Sequence, residues 1–101
     1  MIIVIGSAVA APECAREVRE RSLEHVQRSR EEAGCIAHNV SVDCENPARF
    51  VFVEYWENMG ALIAHFALED SQAFVRDLRK LLAEDPVIEI FNAEQIEPGA
   101  S

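Results

Sequence analysis

A chain of 101 residues, half of them hydrophobic, is long enough to fold as one domain around one core and too apolar to stay disordered. Eighteen acidic residues against nine basic ones give a formal net charge of −9. That field repels phosphate backbones and anionic headgroups, so neither nucleic acid nor a membrane surface is an expected partner.

Residues 2–9, IIVIGSAV, are rich in β-branched side chains and predict a first strand. The opening MIIVIG lacks the basic residues of a secretory leader, and no apolar run approaches the ~20 residues of a bilayer span. A cytoplasmic location is expected. Pro12 and Glu13 suit the first turn of a helix predicted to reach Ala33. Ala15, Val18, Ser22, His25/Val26, Ser29 and Ala33 recur at helical spacing along it, and Gly34 is its expected stop.

Residues 35–43, CIAHNVSVD, alternate as a strand: Ile36, His38, Val40 and Val42 point one way, and Cys35, Ala37, Asn39, Ser41 and Asp43 the other. CENPA then supplies turn chemistry. A third strand is predicted from Arg49 to about Glu57, with Phe50, Phe52, Glu54 and Trp56 on one face and Val51, Val53 and Tyr55 on the other. Asn58 is a fitting N-cap for a short helix carrying Ala61, Leu62, His65 and Phe66 on one side. A second helix restarts around Glu69 to Ser71, with Phe74, Val75, Leu78, Leu81 and Leu82 as its stripe, and Pro86 bars its continuation. Residues 87–96 predict the last strand, and 97–101 a frayed tail of the single domain 1–101.

The order of elements predicts an α+β fold of the ferredoxin-like split βαβ type: a four-stranded antiparallel sheet with helices on one face. The other face, bearing Val51, Val53 and Tyr55, is too apolar to stay wet. A second copy is its simplest cover, so a homodimer is expected.

Pairing Val42 with Phe50 sets Val40 against Phe52, His38 against Glu54 and Ile36 against Trp56. His38, Glu54, Trp56 and His65 then converge between sheet and helices, with Ser22, His25 and Ser29 on the opposite wall. His65 or His38 is the expected base, Glu54 a partner that orients or charges an imidazole, and Trp56 an aromatic wall for a planar substrate. Asn39 faces the expected dimer seam. The three cysteines, Cys14, Cys35 and Cys44, have no CxxC spacing and fit reduced thiols. No zinc-ligand cluster is visible in the spacing, so no metal is expected; no Rossmann glycine pattern or P-loop argues for a nucleotide cofactor.

The segment EEAGCIAHNVSVDCENPARFVFVEYWENMGALIAHF resembles the antibiotic biosynthesis monooxygenase family of small dimeric α/β barrels. The resemblance rests on Gly34-Cys35-Ile36, Asn46-Pro47-Ala48-Arg49-Phe50, Glu54-Tyr55-Trp56, and Ala61 followed four residues later by His65. It implies the dimeric barrel and a cofactor-free oxygenase acting on a small quinol or other phenolic, aromatic substrate. Family members without known activity leave a non-enzymatic dimeric small-molecule-binding protein as the alternative. Haem is not expected, because Ser7, His65 and Val75 stand where the haem-degrading branch has Asn, Trp and His. Of the positions that the polyketide-oxidising branch uses, Trp56 and Arg76 are kept, whereas Phe52 and Leu62 replace its Asn and Tyr. The resemblance thus adds Phe52, Leu62 and Arg76, beside His25 and Asn39, as candidate substrate contacts.

Overall fold

The computed structural model describes residues 1–99. Its elements are β1 (Ile2–Val9), a 3-10 turn (Pro12–Cys14), α1 (Ala15–Ser29), β2 (Cys35–Asp43), β3 (Asn46–Trp56), α2 (Met59–Ala67), α3 (Glu69–Arg79) and β4 (Val87–Asn92). The strands form one sheet in the order β2-β3-β1-β4, every pair antiparallel. This is the split βαβ arrangement expected from the sequence.

Several boundaries differ from the sequence reading, each for a local reason. α1 ends at Ser29, four residues short of Ala33, because residues 30–34 are spent turning the chain back into the sheet. Gly34 therefore serves the approach to β2 rather than capping the helix. Its φ of +83° is left-handed, and a Cβ there would stand 2.5 Å from the Cβ of Ala61 on α2. The turn at Cys44 and Glu45 is tight, so β3 starts at Asn46 rather than Arg49. Leu81 and Leu82 lie beyond the end of α3, and β4 stops at Asn92, four residues before Ile96. Of the predicted frayed tail, residues 100–101 lie outside the described residues.

Parity holds along β3. Phe50, Phe52, Glu54 and Trp56 all face the helices and are buried. Against β2 the register is Val42–Phe50, Val40–Phe52 and His38–Glu54, as alternation predicts. Beyond His38 it slips: Ala37 pairs Tyr55 and Cys35 pairs Trp56. Ile36 is the extra residue of a β-bulge and is 53% exposed. The expected Ile36–Trp56 pair is therefore not made, and Cys35 takes the inward place beside Trp56.

The core has two apolar parts. One joins Ala8, Ala10, Val18, Val26, Phe50, Phe52 and Leu78; the other joins Ile2, Val4, Trp56 and Leu62. Among the residues buried with them are three histidines and a glutamate.

Candidate functional site

The polar cluster is assembled from four elements. α1 contributes His25, β2 His38, β3 Glu54 and α2 His65, all buried. His25 comes inward because Val18, Ser22, His25, Val26 and Ser29 share the stripe that α1 lays on the sheet. His65 comes inward because Asn58 fixes the start of α2, its side chain accepting the Ala61 N–H at 2.9 Å, and His65 then falls on the stripe of Leu62. The imidazole centroids lie 5.3 Å (His25–His38), 5.4 Å (His25–His65) and 5.5 Å (His38–His65) apart.

Glu54 Oε1 is the centre of this cluster. It accepts the Trp56 indole N–H at 2.9 Å, and it lies 3.3 Å from His38 Nε2 and 4.0 Å from His65 Nε2. Burial pushes the Glu54 carboxyl up. The close contact and charge of His38, the indole N–H of Trp56 and the charge of His65 together outweigh that and hold it below its ordinary value. At His38 the 3.3 Å separation is that of an ion pair, yet the angle is poor for a hydrogen bond, and neither ring nitrogen of His38 has a hydrogen-bond partner among the described residues. We take the contact as electrostatic, because a hydrogen bond requires alignment as well as distance.

His65 is oriented from behind. Its Nδ1 lies 2.8 Å from Glu32 Oε1, with Ser71 Oγ at 3.4 Å. An Nδ1–H donated to Glu32 leaves Nε2 with its lone pair free. His25 stacks on Phe74 with ring centroids 4.0 Å apart and planes 4° from parallel. Burial first, then the charges of His38, His65 and Arg28, push its pKa down to about 3, so this ring is neutral at physiological pH. The Arg28 guanidinium, 3.2 Å from His25 Nδ1, can only donate, which places the His25 proton on Nε2.

A cavity of about 180 Å³ reaches this cluster from the α3–β4 side. Its polar end is His25, Glu54 and His65; its walls are mainly Phe52, Phe66, Phe74, Val75, Leu78 and Ile88. Of the residues singled out in the sequence, Glu54, His65, His25 and Phe52 line it. His38 and Trp56 are sealed directly behind it, each fully buried. Trp56 is thus no wall of the cavity: its indole holds Glu54 and packs 4.7 Å from the His65 ring, and three phenylalanines form the aromatic lining instead. Leu62 is core beside Trp56. Asn39 is exposed and accepts a hydrogen bond from Arg30 at 3.0 Å. Arg76 sits on the outer side of α3 near Asp77, and the arginine at the cavity is Arg79, one turn on. Sequence reasoning missed Glu32 and Arg79. Nothing in the spacing marks Glu32, since it lies in a turn that the periodicity assigned to α1.

The profile of the antibiotic biosynthesis monooxygenase family matches residues 1–77. The chain belongs to that family. A Deinococcus radiodurans protein assigned by name to the antibiotic biosynthesis monooxygenases has the same fold, with a TM-score of 0.91, 31% identity and 96% of both chains covered. A second structure bearing the family's name has a TM-score of 0.87 and 29% identity, covering 94% of this chain and 100% of the other. Uncharacterized protein sll1783 of Synechocystis is 32% identical over 90 residues. That stretch is 89% of this chain but 61% of sll1783, so the chain spans less than two thirds of this curated relative's length. Family membership carries the α+β fold; what this member does depends on its own cavity.

Proposed function

We propose that this chain is a cofactor-independent monooxygenase that oxidises a small quinol or phenolic substrate with dioxygen. The observation that carries the reading is the polarity of the cavity: an aromatic slot ends on His65, whose free Nε2 is set by Glu32 behind it. A flat phenolic ring fits such a slot with its hydroxyl against the imidazole. His65 takes the phenolic proton, and the electron-rich phenolate passes an electron to dioxygen. Recombination forms a ring-bound peroxide, which loses water to leave a quinone. One oxygen atom enters the ring and the other leaves as water. The substrate supplies all four electrons, so the balance needs no further reductant. Apolar walls keep water from the reactive intermediates.

A homodimer completes the reading. The outer sheet face carries Ile5, Val51, Val53 and Tyr55, and β4 is exposed along its whole length, with Val87, Ile88, Ile90 and Phe91 open. The Cα radius of gyration of 14.3 Å exceeds the ~13 Å of a compact chain this long. A second copy over this face and β4 would bury that surface and narrow the cavity mouth at Val87 and Ile88. No described helix is long and apolar enough to cross a membrane, and free Cys14, Cys35 and Cys44 suit a cytoplasmic setting.

Dioxygen uptake with a panel of hydroquinones and hydroxylated aromatics tests the reaction. Turnover of one or more is expected, falling ~10²–10⁴-fold in His65→Ala while the dimer persists. Saturable binding of these compounds with no oxygen uptake by any of them would replace the enzyme with a small-molecule-binding dimer.

A further inference from the structure

We propose that His38, His65 and Glu54, with His25 as a fourth donor, form a binding site for a divalent transition ion of the zinc, cobalt or nickel kind. One ring nitrogen from each histidine falls within 4.8 Å of the others. Glu54 Oε1 stands 3.3 Å from His38 Nε2 and 4.0 Å from His65 Nε2. Donors around an ion at the ~2.0–2.1 Å Zn–N distance sit roughly 3.4 Å apart, so the cluster needs only a modest contraction of side chains on fixed elements. Three imidazoles and one carboxylate are the donors that such ions prefer.

The independent observation is His38. It is fully buried, and neither of its nitrogens has a hydrogen-bond partner among the described residues. An orphaned buried polar group destabilises the fold, and an apolar side chain would fill a plain core position more stably. A ligand that takes Nε2 removes that cost. The surroundings are also those of a metal centre. Glu32 holds His65 Nδ1 at 2.8 Å, the carboxylate–histidine arrangement that fixes a ligating imidazole, and Trp56 holds Glu54 at 2.9 Å. His25 joins when its Nδ1 contact with Arg28 opens; that guanidinium is already shared with Glu24 and Asp70 near the surface. The cavity gives the ion a path inward.

The spacing 25, 38, 54, 65 hides such a site from the sequence, because the four donors come from four elements. The same His65 Nε2 cannot accept a proton and ligate an ion, so loading the site would inhibit the proposed oxidation. Only that last consequence rests on the proposed reaction.

The test is binding to the full chain after chelator treatment. Cobalt(II) titration should give the intense visible absorption of a four-coordinate site at one ion per chain, and zinc should displace it. Glu54→Gln and His38→Gln should each weaken the affinity by at least about 10²-fold, and Glu32→Gln by about 10-fold. Circular dichroism must show the native fold for a variant to count, and His65→Gln provides a further ligand change. A folded wild-type chain that takes up no cobalt overturns the proposal. So does weak, six-coordinate absorption that is unchanged in the folded variants, which marks ions on surface carboxylates. Tight binding in a chain that oxidises no quinol would leave the metal site standing and remove the proposed reaction alone.

Discussion

β3 and β4 are both apolar strands bonded into one sheet, yet their fates differ. Phe50, Phe52, Glu54 and Trp56 of β3 are buried, whereas no residue of β4 is. β3 lies centrally, under α1 and α2; β4 lies at the edge, with the cavity between it and α3. Apolarity in a strand therefore records what must be covered, and the position in the sheet decides whether the chain itself can cover it. On β3 the cover is so complete that it encloses a carboxylate and three imidazoles. On β4 the chain lays down no such cover, and the strand stays exposed.

The comparison breaks most visibly at Trp56. Trp56→Ala removes a fully buried indole and leaves Glu54 without its donor. Urea unfolding should show a loss of about 3–5 kcal/mol. A loss below 1 kcal/mol would mean that the β3 side is not the packed core described.

Acid should distinguish the two regions next. His25 has a folded pKa of about 3 against an ordinary value of 6.5, so the unfolded chain binds the proton first. Stability is unaffected above the unfolded value and falls as pH drops below about 6.5, by at most about 1.4 kcal/mol per pH unit for this proton. Glu54 is depressed, so its contribution is present above the unfolded carboxylate value and is lost at lower pH, as its folded value is crossed. Urea midpoints at pH 7.5, 6 and 5 should decline together with this slope. His25→Phe keeps the stack on Phe74 and should flatten the decline; an unchanged slope would assign the acid sensitivity to another group.

The smallest effect on folding is expected at β4. Phe91→Lys changes an exposed side chain, and the separated chain should lose no more than about 0.5 kcal/mol. Its effect should appear in association: sedimentation should show the wild type as a dimer at tens of micromolar and this variant shifted to monomer. A wild type that sediments as a monomer would leave β4 exposed in solution as well.

Much of this was legible in the chain. Strict alternation gave the inward face of β3 and the His38–Glu54 pairing, and helical phase gave His65. Alternation could not show the bulge at Ile36, because one inserted residue leaves the pattern intact on either side of it. Helical periodicity carried α1 through Glu32 into a turn, which hid the carboxylate that orients His65. Trp56 was read by residue type as a stacking surface. Its burial behind Glu54 depends on how far α2 and its Leu62 reach over the sheet, and no local pattern encodes that. Arg76 came from the family resemblance alone, and on α3 it lies beside Asp77 while Arg79 lines the cavity.

The chain has one tryptophan, and that residue touches the centre of the cluster: its N–H rests on Glu54 and its ring lies against His65. The protein thus carries a built-in optical gauge. Light absorbed at the red edge excites this indole and no tyrosine, and indole emission responds to a neighbouring carboxylate losing its charge or a neighbouring imidazole gaining one. Events at Glu54 and His65 can therefore be followed in the unmodified chain, in real time and without a dye, by the colour and yield of a single fluorophore.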